Sequence, residues 1–189
     1  MGQLFVVRHA STALNSNGDE IRGWKDIPLS AEGREETHTL AKSLIPHKID
    51  GIISSDLSRA HDTAKEISKE TGAPILLVTM ELRPWNVGVL QGKKFAEIKD
   101  DLFKLFDNMS IEVAGGESFN SFKTRGINMF RKLGTYRDKN LAIVTHHRNE
   151  RLLDAWYSAG GMNQDNIDVD KMKVKGQAPG SFRITNFPK

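Results

Sequence analysis

The chain has 189 residues, enough for one domain with a sheet covered by helices on both faces and too few for two independent domains of that size. Hydrophobic residues make up 38% and charged residues 27%, which excludes a disordered or membrane-spanning chain. The absence of cysteine excludes disulfides, thiolate zinc sites and a cysteine nucleophile, and the net charge of +3 favours anionic ligands without locating a site.

In chain order, the start Met1-Gly2-Gln3-Leu4-Phe5-Val6 lacks the basic-then-apolar plan of a signal peptide, and Val6 stands where a myristoylation motif needs Ser or Thr. We therefore expect no export and no lipid anchor, and a cytoplasmic protein. Gln3-Leu4-Phe5-Val6-Val7 is a short apolar run that stops at Arg8-His9, as a buried parallel strand does at its carboxyl end. Leu40, Ala41, Leu44 and Ile45 mark one face of a helix that Ser30 can cap. Gly51-Ile52-Ile53 is the next strand candidate. Leu57, Ala60, Ala64 and Ile67 then mark a helix that Ser55 or Asp56 can cap.

Ile75-Leu76-Leu77-Val78 reads as a further strand, and residues 94–108 as a helix. Another helix, with Phe119, Phe122, Met129, Phe130 and Leu133 on its core face, should follow Gly115-Gly116-Glu117-Ser118. Leu141-Ala142-Ile143-Val144 is the second strong strand and runs into Thr145-His146-His147, with a helix expected over 148–158. Residues 159–180 read as a long polar loop, and Ser181-Phe182-Arg183-Ile184-Thr185 as an edge strand. Strands alternating with helices predict an α/β three-layer sandwich with a mostly parallel sheet, formed by residues 1–189 as one domain. Its site is expected at the carboxyl ends of the strands.

Both strong strands end in histidine, so in a parallel sheet His9 and His146 converge on one crevice. Arg8 precedes the first, and Arg59 falls in the first turn of the helix after residues 51–54. Guanidinium forks, imidazoles and free helix-end amides together suit a phosphoryl group. Histidine can also attack phosphorus, splitting one difficult displacement into two. This design requires no metal or other cofactor. The basic residues are scattered, with neither a basic tract nor an aromatic-interleaved strip, so nucleic acid is not an expected partner.

Val6-Val7-Arg8-His9-Ala10-Ser11-Thr12-Ala13-Leu14-Asn15 resembles the opening motif of the histidine phosphatase (phosphoglycerate mutase-like) superfamily, with Ala10 in place of the usual glycine. Residues 23–33, 54–64, 115–118 and 144–146 resemble later blocks of that family in the same order, so the resemblance spans roughly residues 4–186. It implies His9 as phosphoryl acceptor, Arg8, Arg59 and His146 as ligands of the phosphoryl oxygens, and Asn15 and the Gly23 backbone beside them. Pro84 occupies the place of the family's usual general-acid glutamate, and proline has no side-chain proton to give. Glu117 is the first substitute expected and His147 the second. Glu117 is alternatively a helix-start carboxylate, and His147 a pocket wall or substrate contact.

Trp24 and Trp85 fit either pocket or core, and Arg83, Arg148 and Arg151 either extend the positive site or pair at the surface. The reading is a metal-independent phosphomonoesterase acting through a phosphohistidine on a small anionic phosphorylated substrate. The alternative is a weakly active or inactive phospholigand-binding protein of the same fold, fed by Pro84, while phosphomutase activity is disfavoured because it needs further proton transfers. A metal-dependent hydrolase built on His9, His146 and His147 lacks any supporting motif. Membrane association is not expected, and assembly into a homo-oligomer is left open.

Overall fold

A computed structural model describes residues 2–16 and 20–187; residue 1, residues 17–19 and residues 188–189 lie outside the described set, and with them the Met1 that opens the amino-terminal segment. The chain forms β1 (Leu4–Arg8), α1 (Ala13–Ser16), α2 (Ala31–Leu44), β2 (Gly51–Ser55), α3 (Ser58–Thr71) and β3 (Ile75–Thr79). It continues through α4 (Phe95–Asp107), α5 (Phe119–Lys132), β4 (Leu141–Thr145), α6 (His147–Ser158), α7 (Val169–Lys173) and β5 (Phe182–Thr185).

The five strands form one sheet in the order β3-β2-β4-β1-β5, with β1 to β4 parallel and β5 antiparallel at the edge beside β1. Alternate residues of each central strand feed opposite faces, as the two-residue repeat of a strand requires. Leu4, Val6, Ile53, Leu141 and Ile143 join the core under α4, α5 and α6, whereas Phe5, Val7, Ile52, Ala142 and Val144 join the core under α2 and α3. Both faces are therefore apolar, which is why these strands read as unbroken hydrophobic runs. Progress along the sheet reverses after β3, and with right-handed crossovers the helices before and after that reversal cover opposite faces.

The structure corrects several local expectations. Ile45 is not on the core face of α2 but 49% exposed, because the helix ends at Leu44 and the chain enters a 3₁₀ turn through Pro46. Ser30 does cap α2, accepting from Gly33 N at 3.0 Å. Neither Ser55 nor Asp56 caps α3. The Asp26 carboxylate instead accepts from Ser58 N (2.9 Å) and Ser58 Oγ (2.7 Å), while Asp56 is drawn to Arg83. The segment 159–180 is not all loop, since Asp168 accepts from Asp170 N at the start of α7 and Met172 is buried.

Gly33 ties α2 to the segment after β1. A Cβ at this position would overlap the Ser11 carbonyl oxygen, which accepts from Ser30 N at 3.1 Å. Forcing extra volume into such a contact typically costs about 1–3 kcal/mol. Gly33→Ala should accordingly lower the urea midpoint of unfolding, and an unchanged midpoint would show that α2 and residues 10–12 are not in this close register.

Candidate active site

The register of β1 against β4 pairs Arg8 with Thr145, and His9 N donates to Thr145 O at 3.0 Å. The next residue on each strand is a histidine, so the rings of His9 and His146 meet edge to face, 5.0 Å between centroids. His9 Nδ1 lies 2.7 Å from the Ala10 carbonyl, which can only accept. The ring proton is therefore on Nδ1, and Nε2 keeps its lone pair. Burial, followed by the positive charges of Arg59, Arg8 and Arg22, holds His9 well below the usual histidine range, so the lone pair stays unprotonated at neutral pH. Ala10 is fully buried beside Gly180, and Gly180 N donates to the His9 carbonyl at 3.2 Å.

His146 Nε2 pairs with Ser55 Oγ at 2.9 Å, and its Nδ1 is buried without a hydrogen bond. When Ser55 donates to Nε2, the ring proton sits on Nδ1 and becomes available to a bound oxygen. Burial, Arg59 and His9 keep this ring uncharged as well. Arg59, in the first turn of α3, is 1% exposed and donates to the Lys25 carbonyl (2.9 Å) and the Gly23 carbonyl (3.1 Å), while its Nε is buried with no acceptor. Burial, then the proximity of Arg22, lowers it to about 10, still fully charged at neutral pH. Arg8 donates to the Gln177 carbonyl at 2.5 Å. Asn15 Oδ1 accepts from Thr12 N at 2.8 Å, which leaves its amide N–H groups as donors, and Gly23 adopts φ +50 as it presents its carbonyl to Arg59.

These residues line a cavity of about 720 Å³ together with His147, Arg148 and Pro84. Arg22 lines it too, with Nε donating to Thr12 Oγ1 at 3.1 Å; sequence reading passed over it because it stands in a loop, marked only by its adjacency to Gly23. Trp85 reaches the cavity from the core, whereas Trp24 does not line it and is held between the guanidinium groups of Arg83 (4.9 Å) and Arg125 (5.6 Å). Of the three further arginines only Arg148 lines the cavity: Arg83 pairs with Asp56, and Arg151 donates to the Lys171 carbonyl.

Glu117 is not brought to the cavity lining, contrary to expectation. Its Oε1 accepts from Arg125 (2.7 Å) and from Asn86 N (2.9 Å), and its carbonyl accepts from Trp85 Nε1. The cause is backbone packing: a Cβ on Gly88 would overlap Ala114 O, so residues 86–88 and 114–117 lie directly against each other and Glu117 clamps them. His147 does line the cavity, but its Nε2 accepts from Gly176 N at 3.2 Å, and burial lowers it to about 3. Among the described residues the three histidines do not gather ligand atoms for a metal. The grouping that does so is His38, Glu66 and Glu70, on α2 and α3, where Lys69 already pairs with Glu66.

A histidine lowered from about 6.5 in the unfolded chain to about 3 contributes stability above pH 6.5 that is lost as pH falls, because the unfolded state takes up the proton first. His147→Gln should therefore flatten the loss of unfolding free energy between pH 6.5 and pH 5, by on the order of 1–2 kcal/mol across that window. Parallel profiles for variant and wild type would contradict the neutral, buried state of His147.

A family model for the histidine phosphatase superfamily (branch 1) matches residues 4–175. Phosphoglycerate mutase-like protein 4 of Arabidopsis thaliana is 30% identical over 152 residues, 76% of this chain, and the chain spans 66%, just under two thirds, of that relative's length. A putative phosphoserine phosphatase 2 of Hydrogenobacter thermophilus is 30% identical over 188 residues, covering 94% of this chain and 92% of that one. The structure of a mycobacterial glucosyl-3-phosphoglycerate phosphatase superposes with a TM-score of 0.77 at 24% identity, over 99% of this chain and 98% of that one. Matched in sequence over nearly its whole length and in fold throughout, the chain belongs to the histidine phosphatase superfamily, branch 1.

Proposed function

We infer that the protein is a metal-independent phosphomonoesterase acting through a phosphohistidine on His9. The observation that carries this reading is the pair of buried, unbonded polar atoms, Arg59 Nε and His146 Nδ1, in the same crevice as a neutral imidazole whose Nε2 lone pair is free. Buried polar groups without partners are costly, and a phosphoryl group supplies oxygens for both.

In the first step His9 Nε2 attacks phosphorus as the ester P–O bond breaks, its electron pair staying on the leaving oxygen, which takes its proton from solvent. The ring gains positive charge, and the Ala10 carbonyl at 2.7 Å strengthens its bond to Nδ1–H as it does so. Arg8, Arg22, Arg59 and His146 stabilise the charge on the equatorial oxygens. In the second step water attacks phosphorus, the P–N bond breaks, and inorganic phosphate leaves a neutral ring. Asn15, Gly23 and His147 bound the phosphoryl site, and the substrate is a phosphorylated small molecule. Among the described residues no helix is long and apolar enough to cross a membrane. A cytoplasmic location and a single domain over residues 1–189 belong to the same reading. A phospholigand-binding role is the second reading, favoured by one observation: no acid is poised over the crevice at Pro84, nor does Glu117 reach it.

Rapid quenching during turnover should find an acid-labile, base-stable phosphoryl group on His9 that is absent from His9→Ala. Absence from wild type while phosphate is released would remove His9 as the acceptor, and no phosphate release from any ester would favour the binding role. Arg59→Ala should lower kcat/KM by at least about tenfold, equivalent to about 1.4 kcal/mol of transition-state stabilisation, with the fold preserved by circular dichroism. A folded Arg59→Ala protein turning over at the wild-type rate would remove Arg59 from the phosphoryl site.

A further inference from the structure

The cavity is far larger than a phosphoryl group requires, and at about 720 Å³ it falls among pockets that enclose drug-sized ligands. Beyond the arginines its wall is aromatic and aliphatic: Trp85, Phe95, Leu102 and Phe103 line it. Phe95 and Phe103 meet edge to face at 6.4 Å, and the Arg148 guanidinium stands 5.9 Å from the Phe95 centroid. Phe103 stacks in turn on Phe106, 5.8 Å away, so this wall is continuous with the core. The geometry of such rings suits a flat aromatic group set edge-on or offset against them.

The same cavity is poor in proton donors. Its single carboxyl group among the described residues is Glu20, whose backbone bridges the exposed Lys94. Pro84 has no proton to give, Glu117 is tied to Arg125, and His147 has its Nε2 engaged by Gly176 N. Glu150 is buried outside the cavity lining, with its Oε1 on Gln177 N. Cations accompany the aromatic wall: Lys99 Nζ stands 5.5 Å from the Phe103 centroid, and Arg148, Lys173 and Lys175 also line the cavity. Such a site stabilises a leaving group that departs as an anion better than one that must be protonated as it departs.

We propose that the substrate is an aryl phosphate, a phosphorylated phenol whose ring lies against Phe95 and Phe103 and leaves as a phenolate. The inference rests on the phosphomonoesterase reading above. As the bond from His9 Nε2 to phosphorus forms, the P–O(aryl) bond breaks and its electron pair stays on the phenolate oxygen, spread into the ring, in a cavity that Lys99, Arg148, Lys173 and Lys175 also line. Water then attacks phosphorus, the P–N pair returns to the imidazole, and the proton released by water ends on the phenolate through solvent. The products are a phenol and inorganic phosphate.

The test compares kcat/KM for phenyl phosphate and substituted phenyl phosphates of graded phenol acidity with that for cyclohexyl phosphate, an alkyl ester of similar size. Aryl esters should be favoured by about 10²-fold or more, with rates rising steeply as the phenol becomes more acidic, because general acid assistance of about 10²–10⁴ is missing. Phe95→Ala and Phe103→Ala should raise KM for phenyl phosphate about tenfold while leaving inhibition by inorganic phosphate unchanged. Equal rates on aryl and cyclohexyl esters, or a cyclohexyl activity that Glu20→Gln selectively abolishes, would overturn the inference and leave the phosphatase reading standing. Aryl preference with unaltered KM in both phenylalanine variants would overturn the assignment of the ring to that wall. Release of no phosphate from any of these esters would overturn both the inference and the reading it rests on.

Discussion

The pairing of β1 with β4 is the constraint from which the site follows. The register that sets Arg8 against Thr145 leaves a histidine as the next residue on each strand, and the His9 N–H on the Thr145 carbonyl carries the ladder one step past the sheet. A shift of one residue would turn the side chains of β1 to opposite faces and move Leu4 and Val6 out of one core while Phe5 and Val7 left the other. Burial on both faces therefore excludes such a shift. The two imidazoles meet because the hydrophobic alternation below them has only one satisfactory register.

Charge distribution in the crevice follows from the same burial. Arg59 is almost wholly enclosed, and among the described residues its guanidinium is held by the carbonyls of Gly23 and Lys25 rather than by a carboxylate. Backbone carbonyls orient a cation but do not neutralise it, and with Arg8 and Arg22 also lining the cavity, cations outnumber the single carboxyl group, Glu20, among the described residues of its lining. Burial first, and then these positive charges, keep both histidines neutral, and the imbalance makes an anion the natural occupant. On the proposed reading these fixed cations meet phosphoryl oxygens with little reorganisation, which is the condition for stabilising a transition state.

The strands, the main helices and the two convergent histidines were legible in the sequence because each depends on local periodicity or on a run ending in a charged residue. What escaped depends on partners distant in the chain. The cap of α3 comes from Asp26, 32 residues before Ser58, and no pattern around Ser55 or Asp56 announces it. Glu117 reads as free to enter a pocket, yet Arg125, two turns further along α5, and the amide of Asn86 take its oxygen first. Arg22 has no periodic or strand-end mark, and its place beside the histidines comes only from the loop that also brings Gly23 to Arg59. The short α7 hides in a polar stretch whose apolar anchors, Met162, Ile167, Val169 and the buried Met172, are too sparse to show a helical repeat.

The wall formed by residues 173–179 is bound to both elements that carry the histidines. From α6, His147 Nε2 and Glu150 Oε1 accept the consecutive amides of Gly176 and Gln177 at 3.2 and 3.0 Å. From β1, Arg8 donates to the Gln177 carbonyl and the Val6 carbonyl accepts from Gln177 Nε2 at 3.1 Å. A Cβ at Gly176 would meet Glu150 Oε1 and the His147 ring, so a side chain here would have to displace the groups that hold this wall. Glu150 is raised to about 7, chiefly by burial, so it changes protonation near neutrality. An oxygen of either the carboxylate or the acid can accept the Gln177 amide, so this hold does not depend on one charge state. Attached in this way to β1 and α6, the wall keeps a fixed relation to the crevice of His9 and His146, so that this side of the cavity takes its position from the sheet itself.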